Sequence, residues 1–315
     1  MEDQSSHSAG AKEEGFSYKK LRRAFAWNVL MSLIWFVGKI PAAVIRKVMD
    51  VLIMIGYATF FKRAKRKGLR SLDIAYERVL SDQDKQAILK KSFRHFGRVI
   101  SDMICATRDL SEATSCFEIE HRRRLDEALS RGRGVLAVTA HLGYFPHMIF
   151  RMAKEGYKVA VIMRRPRDER VGDYCLRRMK ESNVQTIYSV PARQCVRESI
   201  AALRENAIVF VLLDQHFGAP GRVTVDFFGQ PAETGASPVV FAQRTKAAIL
   251  PVFTVREEDG RQRIIFEREI VCEDADTSDT AVAQCVQEIT SMIEAYVRRY
   301  PSQWMWMHGR WKAQQ

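Results

Sequence analysis

A chain of 315 residues accommodates one large α/β domain with an N-terminal extension and does not force a division into two domains. Hydrophobic residues at 47% and charged residues at 28% exclude a disordered or fibrous polymer. Lys and Arg outnumber Asp and Glu by 50 to 37, a net charge of +13, which points to an anionic partner without choosing among nucleic acid, phospholipid headgroups and an acidic carrier protein.

Residues 1–18 read as a polar tail, because the basic n-region and cleavage site of a signal peptide are missing. An apolar stretch from Ala24 to Val37 carries Trp27 and Trp35 and is interrupted by Lys39 and Pro41. A second, from Val48 to Phe61, follows Arg46, Lys47 and Asp50. Neither reaches the ~20 residues of a membrane-spanning helix, and joining them would bury the intervening charges. The run Lys62, Arg63, Lys65, Arg66, Lys67 and Arg70 comes next. Residues 19–70 are therefore predicted to form helices lying in a membrane interface, with the tryptophans at headgroup depth. Each cation would contribute on the order of 1 kcal/mol at an anionic leaflet. One true span, or a buried helix with a solvated basic loop, are the competing readings. The spacing of Ile88, Phe93, Phe96, Val99 and Ile100 predicts a helix over Asp82–Met103, packed beside a domain of residues 71–315.

Short apolar runs then alternate with amphipathic segments. Strands are predicted at Val135–Thr139, Val159–Met163, Gln185–Ser189, Ile208–Leu213, Ile249–Val255 and Ile264–Ile270. Helices are predicted at Pro146–Glu155, Val171–Ser182, Arg193–Glu205, Pro238–Thr245 and Thr280–Arg299. This alternation predicts a mainly parallel, helix-covered sheet, whose reacting groups collect at the carboxyl ends of the strands. Cys105, Cys116, Cys175, Cys195, Cys272 and Cys285 show no metal-like spacing and read as reduced, space-filling thiols. Arg122, Arg123 and Arg124 read first as a solvated helix face and second as a docking patch for an acidic carrier protein.

The first predicted strand runs into Ala140-His141-Leu142-Gly143-Tyr144-Phe145-Pro146-His147. Glycine permits a sharp turn and proline suits the first turn of the following helix. His141 thus sits at a strand's carboxyl edge beside a helix N-terminus, where a neutral imidazole can take a proton from a substrate hydroxyl. A buried histidine bonded to backbone is the bland alternative.

This stretch resembles the histidine box of the lysophospholipid acyltransferase superfamily, in its bacterial lipid A late-acyltransferase branch. Arg164-Arg165-Pro166 is similar to the family's Arg-Pro element, and Leu213-Asp214-Gln215 to its strand-ending Asp. The stretch Val225–Thr234 looks like its Phe-Phe-Gly block. Tyr300–Lys312 resembles its terminal Pro-x-Gln-Trp…His-x-Arg-Trp-Lys signature. Upstream, Gly68–Leu72 and Ser92–Arg98 resemble its N-terminal region. The ordered set extends from about residue 20 to residue 312.

The resemblance implies a glycerolipid acyltransferase-like α/β fold. It implies transfer of a fatty acyl chain from an acyl carrier protein or coenzyme A thioester to a hydroxyl of a lipid A precursor or related anionic glycolipid or lysophospholipid. It also implies work at the cytoplasmic face of a bacterial inner membrane, with no metal or redox cofactor and no nucleic acid. Carried over, His141 is the general base, Arg164 or Arg165 lies near a phosphate or oxyanion, and Asp214 is a polar anchor. Gln215 and Thr234 join the substrate-binding set.

One position departs from the pattern. The family places Asp or Glu after His and four residues, whereas this chain has Pro146 there. Three explanations compete: Asp214 supplies the acid, a backbone carbonyl orients the ring, or the protein binds lipid without reacting it. The first two together are preferred. His147 reads as structural or solvent-facing, His308 as a packing or headgroup residue, and Trp304, Trp306 and Trp311 as core and interface anchors. A nucleic-acid binder is prompted by charge alone and finds no motif.

Overall fold

The structure, a computed structural model, describes residues 28, 40–77, 79–106, 117–166, 168–259, 261–272 and 279–311. The polar tail, the tryptophan-bearing stretch up to Lys39, Cys116 and Lys312 lie outside the described residues. The chain divides into residues 1–40 and 41–315, and the sheet with the helices around it belongs to the second unit.

From residue 40 onward, the described residues form first the helices α1 (Ala42–Thr59), α2 (Lys62–Tyr76) and α3 (Asp82–Cys105). Arg46, Lys47 and Asp50 lie inside α1, and two of them find partners on α3: Arg46 bonds Asp102 at 2.6 Å and Asp50 pairs with Arg94 at 3.0 Å. Glycines allow the close approach, Gly97 meeting Ile53 of α1 and Gly68 meeting Leu89 of α3. Ser81 caps α3, its Oγ accepting from the Asp84 N–H at 3.1 Å. Ile100, expected in the apolar face of α3, is exposed instead. Val44, Val48, Val51, Leu52 and Ile55 form one stripe of α1 and are each about half exposed. Among the described residues no helix is long and apolar enough to cross a membrane.

The α/β part begins with β1 (Phe117–Glu120) and α4 (Arg122–Ser130). Then follow β2 (Val135–Thr139), α5 (Phe145–Lys154), β3 (Val159–Met163), α6 (Glu169–Glu181), β4 (Val184–Tyr188), α7 (Ala192–Arg204) and β5 (Ile208–Leu212). A hairpin, β6 (Arg222–Phe227) and β7 (Gln230–Gly235), precedes α8 (Ser237–Thr245), β8 (Ala248–Arg256), β9 (Gln262–Phe266) and α9 (Asp279–Arg299). Two short 3-10 turns, Pro301–Gln303 and Trp306–His308, end the described chain.

The sheet order is β1-β9-β8-β2-β5-β3-β4. Strands β8, β2, β5, β3 and β4 run parallel, and β9 returns antiparallel to β8. Continuous apolar runs such as Val-Leu-Ala-Val in β2 suit strands covered on both faces. Leu136 and Val138 enter one apolar layer with Val286, Ile289 and Ile293 of α9, while Val135 and Ala137 enter the other with Met148, Phe150 and Met152 of α5. The mainly parallel, helix-covered sheet expected from the alternation is thus present.

The hairpin and β1 were not expected. Nor was the pairing of Cys272 with Cys285, whose Cα atoms lie 5.8 Å apart as a disulfide, in place of two reduced thiols. The segment leaving β9 passes the first turns of α9, which brings these residues face to face. Cys105, Cys175 and Cys195 form no disulfide.

Candidate active site

Parallel register builds the site. Thr139 of β2 pairs with Leu212 of β5, and the Leu213 N–H donates to the Thr139 carbonyl at 3.0 Å. Two residues beyond each strand end, His141 and Asp214 are therefore level with each other. The Asp214 carboxylate is fully buried; its Oδ1 lies 2.8 Å from His141 Nδ1, and its Oδ2 accepts from the His141 backbone N–H at 2.9 Å. A third donor, Trp304 Nε1, reaches the same Oδ2 at 2.8 Å. Burial by itself would raise the Asp214 pKa, but the His141 charge and these donors win and hold it at about 2. An ionised acceptor at Nδ1 places the imidazole proton there and leaves Nε2 as the basic nitrogen.

The His141 side chain retains 19% exposure. Gln215 Nε2 lies 3.1 Å from the ring's Nε2 and 3.4 Å from its Nδ1. A donor in line with the Nε2 lone pair would be far from Nδ1, so these similar distances put the amide over the ring face. Phe145 and His308 pack edgewise on the same ring, with centroids at 4.9 Å and 4.7 Å. Burial first, then the neighbouring His141 charge, lowers the His308 pKa to about 4, so this second ring is neutral.

The turn itself requires glycine: Gly143 has φ +59°, and a Cβ there would stand 2.0 Å from the Thr254 carbonyl oxygen. The C-terminal segment grips it. The Gly143 N–H donates to the Gln303 carbonyl at 3.0 Å, the Met305 N–H to the His141 carbonyl at 3.2 Å, and Leu142 bridges Trp304. Buried Arg310 donates to the carbonyls of Gln215 at 3.0 Å and Glu233 at 2.7 Å, and to Thr234 Oγ1. Burial brings the Arg310 pKa down to about 10, against the raising influence of Asp214 and Glu233.

Three of the sequence-derived site residues, His141, Asp214 and Gln215, are in mutual contact. Arg164 and Arg165 follow β3 on the same sheet edge and are exposed, but β5 separates β3 from β2, so they start ~10 Å away. Arg165 lies over the Tyr188 ring at 5.8 Å. Thr234 is fully buried against Arg310, which places it behind the site rather than in an open cleft. His147 is buried as well, not solvent-facing.

The arginines of α4 have partners yet stay at least partly exposed, Arg123 at 89%, as a solvated helix face would: Arg122 bonds Glu155 at 2.7 Å, Arg123 bonds Glu127 at 2.6 Å and Arg124 bonds the Phe266 carbonyl at 2.8 Å. Sequence reasoning missed Trp304, His308 and Arg310 as residues packed around His141, Asp214 and Gln215, although all three fall in the terminal block. Among the described residues no group of three His, Cys, Asp or Glu side chains could hold a metal ion.

The model of the bacterial lipid A biosynthesis acyltransferases matches residues 12–313. A lipid A biosynthesis lauroyltransferase of Escherichia coli K12 is 23% identical over 293 residues, covering 90% of each chain. A lipid A biosynthesis palmitoleoyltransferase of the same organism is 22% identical over 262 residues, covering 80% of each. A lipid A biosynthesis acyltransferase of Shigella flexneri has the same identity and coverage. A family match spanning nearly the whole chain makes this chain a member of the bacterial lipid A biosynthesis acyltransferase family and an acyltransferase.

Proposed function

We propose that the protein moves a fatty acyl chain from a carrier thioester to a hydroxyl of a lipid A precursor or a related anionic lysolipid, with His141 as general base. The observation that carries this reading is the 2.8 Å contact between His141 Nδ1 and the buried Asp214 carboxylate. It supplies the orienting acid that Pro146 cannot, and it favours a reacting enzyme over a lipid binder.

The acceptor hydroxyl gives its proton to His141 Nε2 as its oxygen bonds to the thioester carbonyl carbon, whose π electrons move onto the carbonyl oxygen. On collapse of this intermediate the C–S bond breaks, and the imidazolium proton goes to the departing thiolate. Asp214 stabilises the transient imidazolium and keeps the ring in the required tautomer. The exposed Gln215 amide, 3.1 Å from His141 Nε2, is a side-chain donor suited to the oxyanion. Arg164 and Arg165 are suited to an acceptor phosphate at the rim, since guanidinium binds such groups through paired hydrogen bonds.

The half-exposed stripe of α1 is continuous in sequence with Phe60, which is 81% exposed, and with the cations of α2. That combination suits an anionic bilayer surface and supports a location at the cytoplasmic face of an inner membrane. The donor is an acyl carrier protein or coenzyme A thioester.

Radiolabelled acyl transfer by the purified protein, with mass spectrometry of lipids from cells that have or lack it, tests the reading. His141→Ala is expected to lower turnover by about 10²–10⁴-fold. Retention of the wild-type rate would remove His141 from the chemistry.

A further inference from the structure

Trp304 lies 90 residues from Asp214 in the chain, yet its indole N–H is one of three donors on that carboxylate. The two Asp214 oxygens are used differently. Oδ1 faces His141 Nδ1, while Oδ2 accepts both the His141 backbone N–H and the indole. Residue 304 is itself fixed from several directions. Its carbonyl accepts from Ser92 Oγ of α3 at 2.6 Å, its backbone bridges Leu142, and its ring packs on Trp306 and Phe227 with centroids at 4.6 Å and 5.8 Å. It is 1% exposed, so solvent does not compete with the indole donor.

We infer that Trp304 is a positioning residue that acts through Asp214, its indole N–H withdrawing charge from the carboxylate and so setting the basicity of His141. A carboxylate that donates part of its charge to a third donor is a weaker acceptor for the imidazole N–H. Loss of that donor strengthens the Asp214–His141 bond, stabilises imidazolium and raises the pH at which His141 becomes a free base. The other charged or titratable groups near the pair are His308 on its turn, Arg310 beyond it and Lys67 on α2. None of these three donates to Asp214.

This inference rests on the general-base reading, and the test separates the two. The pH profile of kcat/KM for acyl transfer would be measured for wild type, His141→Ala, Trp304→Phe and a protein carrying benzothienylalanine at position 304. The last keeps the bicyclic shape but has no N–H, and it decides the matter if the phenylalanine variant does not fold. The acid limb is expected to move up by about half a pH unit in both Trp304 variants. A role in packing alone would lower the rate equally at every pH and leave the limb in place. Superimposable profiles on a background where His141→Ala is inactive would overturn the role of Trp304 and spare the general base. Full activity of His141→Ala would overturn both.

Discussion

At the end of β2, His141 rests its Nδ1 on a buried carboxylate and keeps part of its ring open, whereas His147, one helical turn further on, and His95 from α3 are sealed around Tyr144. Both nitrogens of His147 and the Nε2 of His95 are buried without a hydrogen-bond partner. Burial lowers the pKa of His147 and takes that of His95 down to about 4. One residue type thus sits either against a buried carboxylate with its ring partly open or sealed among aromatic rings. What separates the two is the strand that delivers Asp214, together with the turn that withholds any carboxylate partner from the neighbouring rings.

The largest break in that contrast comes from Asp214→Asn. The amide preserves shape but no longer fixes the ring's tautomer or offsets imidazolium charge. By analogy with hydrolase triads, turnover is expected to fall about 10³–10⁴-fold. Steady-state acyl transfer would check this, with KM changing far less than kcat because the buried carboxylate does not face substrate. An unchanged kcat would show that the pair is only structural.

Acid separates the same two environments by stability. An unfolded histidine binds its proton near 6.5, whereas native His95 does so only at about 4. Between those values the unfolded chain binds more protons, so stability is complete above 6.5 and is lost as pH falls toward 4. For His95 this amounts to about 3 kcal/mol. His308 acts in the same direction and window. Asp214 acts lower, its contribution being lost as pH falls from 3.8 toward 2. Urea unfolding of wild type and His95→Met across pH 7 to 4 is expected to show a flatter dependence in the variant. Identical slopes would mean that His95 is not held neutral.

Much of the fold was legible because a doubly covered parallel sheet writes itself as apolar runs: Val135–Thr139 and Val159–Met163 end where expected. The hairpin was not legible, because Phe228 and Gly229 both adopt positive φ, at 61° and 73°, and phenylalanine is not a residue that announces such a turn. Tertiary contacts hold it there. Asp226 accepts from the Gly229 N–H at 2.8 Å, and the Arg298 guanidinium lies over the Phe228 ring at 4.2 Å. In the site, His141 and Asp214 could be found as strand-ending polar residues. That Asp214 is level with His141 needs the knowledge that β5 adjoins β2, which runs of apolar residues do not encode. The role of Trp304 depends on where the chain returns after α9, so its indole read only as bulk.

The smallest effect, and the one that sharpens the contrast most, is expected from His147→Met. The side chain is 1% exposed and contacts Phe117 and Tyr144, and both ring nitrogens are buried without a hydrogen-bond partner. Methionine has nearly the same volume and carries no polar atom that demands a partner, so exchanging them removes a desolvation cost without opening a cavity. Unfolding free energy is expected to stay level or rise by up to about 1 kcal/mol, and acyl transfer to continue at the wild-type rate. A loss of several kcal/mol in chemical denaturation would mean that His147 bonds to something after all. Its distinction from His141 would then lie in the kind of partner rather than in having one.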